Sequence, residues 1–257
     1  MRRAHFTFAV GVGLAVLLCS ASSALAQTAP SLGTAAGFAV LAGSTVTNAG
    51  TSTVIGDVGV SPGTAVTGFP PGVVTGTIRS NDATASQAQS DLTVAYNNAA
   101  GQAITSNLSG QDLGGKTLFA GVYRFDTSAQ LSGTLTLDGQ GNANAVFIFQ
   151  IGSTLTTAAG AIVRVINSGN SCNVFWQVGS SATIGTSTTF VGNILALTSI
   201  TVTTTVGFTG RALARTGAVT LDTNSVNNTC VAAPGPVCPV ITLAPTTLPN
   251  GTVNVAY

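Results

Sequence analysis

The chain has 257 residues, 45% hydrophobic and only 6% charged, with a formal net charge of +1. That balance leaves no electrostatic basis for a nucleic-acid or anionic-membrane partner, and its strong β-branched content excludes a disordered chain. Every acidic residue is Asp and the one histidine is His5, so acid–base catalysis and metal ligation lack their usual residues from the outset.

Residues 1–26 read as a secretory signal peptide. Arg2 and Arg3 form the charged start, 6–18 is an apolar run too short for a membrane span, and Ala24-Leu25-Ala26 is a small-x-small cleavage site. Cleavage near Ala26 and an extracellular location are expected, and export permits disulfides. Cys172, Cys230 and Cys238 then remain. Cys172 opens the repeat block described below and Cys230 closes it, so these two can bridge its ends; Cys238 can pair with Cys230 instead or stay free. With no His left and no Cys-x-x-Cys spacing, no metal or other cofactor is expected.

After a polar lead-in, 38–48 (FAVLAGSTVTN) gives an apolar run followed by alternation, and 53–60 (TVIGDVGV) gives a second extended segment. Ser61-Pro62-Gly63 and Pro70-Pro71-Gly72 punctuate turns. The end of the stack needs a cap to block edge pairing, and 61–77 is the candidate for it. Residues 79–108 change character. Gly and Pro nearly vanish, and Ala88, Leu92, Ala95, Ala99 and Ala103 recur at spacings of three and four with Tyr96 and Ile104 alongside. This predicts one long amphipathic helix, capped by Asn81 or Asp82 and stopped at Gly110 and Gly114-Gly115.

From 121 to 228 the chain repeats at roughly twenty residues, the short period of a solenoid. Three lines stack: NVFWQVGSSATIGTSTTFVG, NILALTSITVTTTVGFTG and RALARTGAVTLDTNSVNN. Each opens on an apolar run and continues in alternation, the mark of strands. Two looser copies precede them, and the N-terminal segment can add strands from far away in sequence. The consecutively apolar opening runs predict a strand face covered on both sides, on which the helix packs. Residues 231–237 (VAAPGPV) are a linker by composition, followed by a strand, a Pro-rich turn and another extended piece.

Much of the chain resembles the microbial secreted ice-binding protein family. The likeness lies in FAVLAGSTVTN, GDVGVSPGTAVTGFPPG, QAQSDLTVAYNNAAG, DLGGKTLFAGVYRF, GTLTLDGQGNANAVFIFQIGSTLTTAAG, CNVFWQVGSSATIGTSTTFVGNILALTSIT and GRALARTGAVTLDTN. It implies a mainly β fold: a discontinuous right-handed β-solenoid of three-sided coils, residues 27–230, with one long α-helix, 79–108, along one face. It also implies ice as the partner and a protein that inhibits ice growth or recrystallisation; a monomer is expected. Within the tail, 231–257, the segment 240–257 (VITLAPTTLPNGTVNVAY) resembles the opening of an immunoglobulin-like repeat and is expected to be incomplete.

Two surfaces qualify for ice contact. In the alternating segments Leu155, Ala182, Ile184, Ile200, Val202, Val219 and Leu221 point inward. Thr154, Thr183, Thr201 and Thr220 then form one outward file, with Thr47, Thr156, Thr203 and Asp222 beside it. Stacked strands space such residues by about 4.8 Å across the sheet and about 6.7 Å along a strand. Threonine hydroxyls at those spacings hold water while the methyls limit competing hydration. The resemblance points to a neighbouring surface instead. The family motif Thr-(Ala/Gly)-x-(Thr/Asn) sits where a coil turns into its third strand. It maps in degraded form onto 186–189, 157–160, 204–207 and 223–226, which nominates Thr157, Thr186, Thr189, Thr204 and Thr223; with Phe190 and Phe208 inward, Thr209 faces out on the third strand and joins them.

The alternative is a cell-surface adhesive or structural module that contacts an extracellular polymer, since outward Thr also stabilises sheets by cross-strand pairing. No catalytic residues are expected. Asp57, Asp126, Asp138 and Asp222 scatter over different coils, with Asp126 and Asp138 at turns. Arg211 and Arg215 read as rim charges that snorkel or cap carbonyls.

Overall fold

The computed structural model describes residues 27–230, 232, 233 and 235. The predicted leader 1–26, Cys238 and nearly all of the tail expected to be immunoglobulin-like lie outside the described residues.

Every strand pairing in the two sheets is parallel, and the chain winds repeatedly through three walls. The first is the helix wall. Gly121–Phe125, Phe147–Ile151, Val174–Val178, the second halves of Thr189–Ala196 and Gly207–Ala214, then Phe38–Ala42, Asp57–Val60 and Ile78–Ser80 stack along it. The second, the threonine wall, is a 7-stranded sheet built largely from three-residue strands. The third wall runs from Thr117–Leu118 through Thr134–Asp138 and Ile162–Ile166 to Ser225–Asn227, Thr53–Ile55 and Val73–Val74. Thr189–Ala196 and Gly207–Ala214 pass unbroken from the third wall into the helix wall, which joins both into a 15-stranded sheet. Their corner falls at Gly192 (φ +117°) and Gly210 (φ +146°). A Cβ on Gly210 would collide with the Gly192 carbonyl, so only glycine fits this close passage.

The stacking is discontinuous in sequence. Val40 pairs with Ala212, Thr47 with Thr220 and Val54 with Val226, so the N-terminal coils stack beyond the C-terminal one. Residues 61–77 build the outermost coil there, where Pro62, Pro70 and Pro71 bring no N–H to the edge.

Inside, one apolar cluster runs the length of the stack. Its spine is aromatic. Tyr123 stacks on Phe149 (5.5 Å), Phe149 on Trp176 (4.0 Å), and Trp176 meets Phe190, which meets Phe208 edge-on (5.2 Å each). Tyr123, Phe149 and Trp176 are register partners on adjacent coils, as are Phe190 and Phe208, so the spacing of stacked strands sets those ring separations, while Trp176 and Phe190 meet across the interior from two walls of one coil. Trp176 Nε1 donates to the Val191 carbonyl, so its burial leaves no orphan donor.

The helix spans Ala83–Gly101, shorter than the predicted 79–108 at both ends. Asp82 is its cap, accepting the Ala85 amide at 2.7 Å. Arg79 belongs instead to the strand Ile78–Ser80, where it pairs with Asp57 and Asp82. At the other end Gln150 donates to the Ala99 and Gln102 carbonyls, and the chain must re-enter the stack at Ser106–Asn107. Ala103 and Ile104 continue the helical spacing but have no wall beneath them and stay exposed, so the helix stops well before Gly110. Its buried side, Ala85, Ala88, Leu92, Ala95, Tyr96 and Ala99, lies on outward apolar residues of the helix wall: Leu41, Val122, Ile148, Phe175, Leu195 and Leu213. The wall is therefore apolar on both faces, as its opening runs predicted. The alanines let the backbone approach, and fully burying Leu92 contributes about 2 kcal/mol.

The two arginines on this side are more deeply engaged than rim charges. Arg211 is buried, donating to the Ala36 carbonyl and Asn193 Oδ1, and burial pushes its pKa down. Arg215 lies 4.7 Å over the Tyr96 ring and donates to Thr93 Oγ1, pinning the helix. Cys172 and Cys230 form a disulfide that closes the repeat block, which excludes the Cys230–Cys238 pairing.

Candidate functional site

The threonine wall owes its regularity to the residues beneath it. Leu155, Ala182, Ile184, Ile200, Val202, Val219, Leu221 and Val46 all point inward and are buried. Each short strand thus sits at one height above the core, with its middle residue outward.

Register places those middle residues in one file: Gln130, Thr156, Thr183, Thr201, Thr220, Thr47 and Thr67. Six consecutive coils present threonine at the same position. From Thr156 to Thr67 the file covers five strand spacings, about 24 Å. This corrects the predicted files. Thr156 and Thr47 belong in the main file, and Thr154 lies two residues away from it in a flanking row. Thr203 stands with Asp222 and Ala49 in the row on the other side. Thr67 was missed, although the alternation Ala65-Val66-Thr67 carried its signal.

The protein leaves the hydroxyls of this file free. Among the described residues, those of Thr156, Thr183, Thr201, Thr220, Thr47 and Thr67 make no hydrogen bond to protein. All are at least partly exposed. Each hydroxyl can therefore bind water, while its methyl occupies the space where further water would compete.

The corner surface nominated by the motif is built differently. Thr157 points inward, because its register partner is Leu131. It is only 3% exposed, pairs with Thr188 Oγ1 at 3.2 Å and accepts the Gly185 amide, so it cannot contact a surface. Thr186 pairs with Thr203 (3.3 Å) and Ser187 with Thr205 (2.9 Å). Thr204 donates to Asp222 Oδ2 (2.6 Å) and Thr223 to Asp222 Oδ1 (3.1 Å). The corner turns through left-handed backbone at Ser187, Thr205 and Thr223 (φ 57°, 61° and 53°), so it does not continue the plane of the wall. Beyond it, Thr189 is exposed but its file reads Ile162, Thr189, Gly207, Ser225, Thr53 and Val73. Thr209, beside Val191, is half-buried and lines an apolar cavity of about 160 Å³ with Val165, Ser171 and Ala233. The motif residues thus divide among an interior position, a hydrogen-bonded corner and an irregular third wall.

The seven acidic residues all have structural partners. Asp57 pairs with Arg79, and Asp82 caps the helix. Asp91 accepts the Thr34 amide, chiefly for which its carboxyl is held below the usual range. Asp112 accepts from Ser132 and Gly114, Asp126 from Asn107, Ser109 and Arg124, and Asp138 from Asn167 and Gln140. Asp222 completes the set. Asp126 and Asp138 do sit at turns, and these pairings tie coil to coil without assembling an acid–base pair.

Residues 40–227 match the family model described as Ice-binding-like. The chain is 52% identical over 235 residues to an ice-binding protein of Nostoc sp. (strain HG1), covering 91% of this chain and 87% of that one. It is 35% identical over 184 residues to an ice-binding protein of Flavobacterium frigoris (strain PS1), covering 66% of each. Among solved structures, an ice-binding protein from an Antarctic biological consortium superposes with a TM-score of 0.76 at 47% identity, over 78% of this chain and 91% of that one. One from the Antarctic ascomycete Antarctomyces psychrotrophicus superposes at 0.77 and 42% identity, over 79% and 99%.

Proposed function

The chain belongs to the ice-binding-like family, and from that premise we propose that it adsorbs to ice through its threonine wall and so inhibits ice growth or recrystallisation. The observation that carries the choice of wall is the file of free hydroxyls on Thr156, Thr183, Thr201, Thr220, Thr47 and Thr67. Adsorption needs a rigid array that orders water without binding it too strongly. Rigidity comes from the packed strands beneath. The hydroxyls are free to order water, and the strands of the threonine wall carry a single formal charge, Asp222, in a flanking row. The function is non-enzymatic.

We further propose that the protein is exported after loss of residues 1–26, which the Cys172–Cys230 disulfide supports. In this reading residues 27–230 act as a monomeric ice-binding domain, and residues 231–257 form a linker and immunoglobulin-like strands. The test is recrystallisation inhibition by the purified chain, with a heat-unfolded control. Inhibition near micromolar concentration that disappears on unfolding is expected. No inhibition by protein shown folded by circular dichroism would overturn the reading.

A further inference from the structure

Resting on the proposed ice-adsorbing role of the threonine wall, we infer that Asp222 sets the lateral limit of the adsorbing surface. Across the coils from Thr156 to Thr47, the row on the corner side of the main file holds Ala158, Gly185, Thr203, Asp222 and Ala49. Asp222 and Ala49 are direct register partners, and the others continue the register of their strands. Asp222 is the one formal charge in that stretch. It stands two residues from Thr220, at the fourth of the six threonine-bearing coils, so it interrupts the wall inside its length rather than at its end.

Its surroundings fix it there. The Asp222 amide donates to Asn224 Oδ1 at 2.7 Å, and buried Asn224 in turn donates to the Thr203 carbonyl at 2.6 Å. The carboxylate is half-exposed and accepts the Thr204 and Thr223 hydroxyls. Two consequences follow. A carboxylate keeps a tight hydration shell, and stripping or reordering that shell against ice costs free energy that no cation repays, since among the described residues Asp222 has no ion-pair partner. The same carboxylate holds both corner hydroxyls as donors, so Thr204 and Thr223 cannot orient water independently. The adsorbing surface is therefore the main file with the row of Thr154, Ser181, Ser199, Ala218, Thr45 and Ala65 on its other side, and Asp222 keeps it from extending over the corner.

The experiment compares thermal hysteresis at equal concentration for the parent chain, Asp222→Asn, Asp222→Thr, Thr204→Tyr, Thr201→Tyr and the double variant Asp222→Asn with Thr204→Tyr. Circular dichroism melting checks the fold of each. Asp222→Asn and Asp222→Thr should raise activity about twofold or more, because a neutral side chain lowers the desolvation cost. Thr204→Tyr alone should leave activity unchanged, yet it should cancel the gain of Asp222→Asn. A merely structural role for Asp222 would not produce that coupling. If Thr201→Tyr abolishes activity while both folded Asp222 variants match or fall below the parent, this inference is overturned and the threonine wall stands. If Thr201→Tyr keeps full activity, the reading of the wall has failed and the inference with it.

Discussion

Thr201→Tyr is the sharpest perturbation of the proposed surface. Thr201 lies inside the file, flanked by Thr183 and Thr220 through direct register. A tyrosine ring there stands about 4 Å above the methyls and hydroxyls of neighbours about 4.8 Å to either side. A flat crystal face then cannot touch Thr183, Thr201 or Thr220, which are half of the six threonines. Halving an adsorption free energy of about 8 kcal/mol leaves about 4 kcal/mol, which turns micromolar into millimolar affinity, a loss of about a thousandfold. The fold should tolerate the change, because the side chain points outward on a strand and tyrosine suits strands, so stability should move by no more than about 0.5 kcal/mol. Recrystallisation inhibition and thermal hysteresis read the loss; circular dichroism melting verifies the fold. Thr189→Tyr is the matched control on the third wall and should retain activity. If Thr201→Tyr stays within about twofold of the parent while Thr189→Tyr is inactive, ice contacts the third wall and the reasoning from free hydroxyls is wrong.

Three further outcomes are expected. Leu92→Ala empties a fully buried position between helix and wall. It should cost about 2–5 kcal/mol, lowering the melting temperature by about 5–15 °C, with ice activity of the folded fraction unchanged because the threonine wall is a separate sheet. Replacing Cys172 and Cys230 together by Ser opens a link with a sequence separation of 58. In the chain-entropy account this removes about 4 kcal/mol and about 10 °C of melting temperature, and peptide mapping of the non-reduced parent should recover the Cys172–Cys230 pair. The Asp91 carboxyl is lowered mainly by the Thr34 amide and then by Gln87. A lowered folded-state value means its contribution is present above the unfolded pKa and lost as pH falls through the folded one. Melting temperature should therefore drop between about pH 5 and pH 2, less steeply in Asp91→Asn.

The sequence carried the architecture further than it carried the register. Apolar opening runs announced a wall buried on both faces, and alternation placed Ile184, Val202 and Leu221 inward, where they are. What it left open was the alignment of the coil 147–166 with its neighbour. Thr154 and Thr156 are both outward by parity, and a slip of two residues preserves every inward and outward assignment, so the pattern cannot choose between them. Loop length around the coil chooses instead: Thr156 meets Thr183, 27 positions on, whereas Thr183 meets Thr201, only 18 on. Thr157 was opaque for a different reason. A polar residue in an inward slot needs a partner, and that partner, Thr188, lies 31 residues away on the next coil. The helix was overextended because spacing alone cannot show where the supporting wall ends.

These details explain why one wall of three is the one proposed to meet a crystal. The helix wall is apolar outside as well as inside, and its outer face is spent on binding the helix. The third wall absorbs the irregularities of the coil. It receives corner turns of unequal length, with five steps from Val202 to Gly207 but four from Leu221 to Ser225, and its outward files mix Ile162, Thr189, Gly207 and Val73. The threonine wall lies between, with short strands, uniform inward packing and its length variation pushed into the flanking turns. Low overall charge serves the same end. With each acidic residue engaged at a turn, a cap or a coil junction, the six-threonine file itself stays neutral. Flatness and neutrality on that wall thus follow from where the fold places its insertions and its few charges, not from threonine content alone, which the corner and the third wall share.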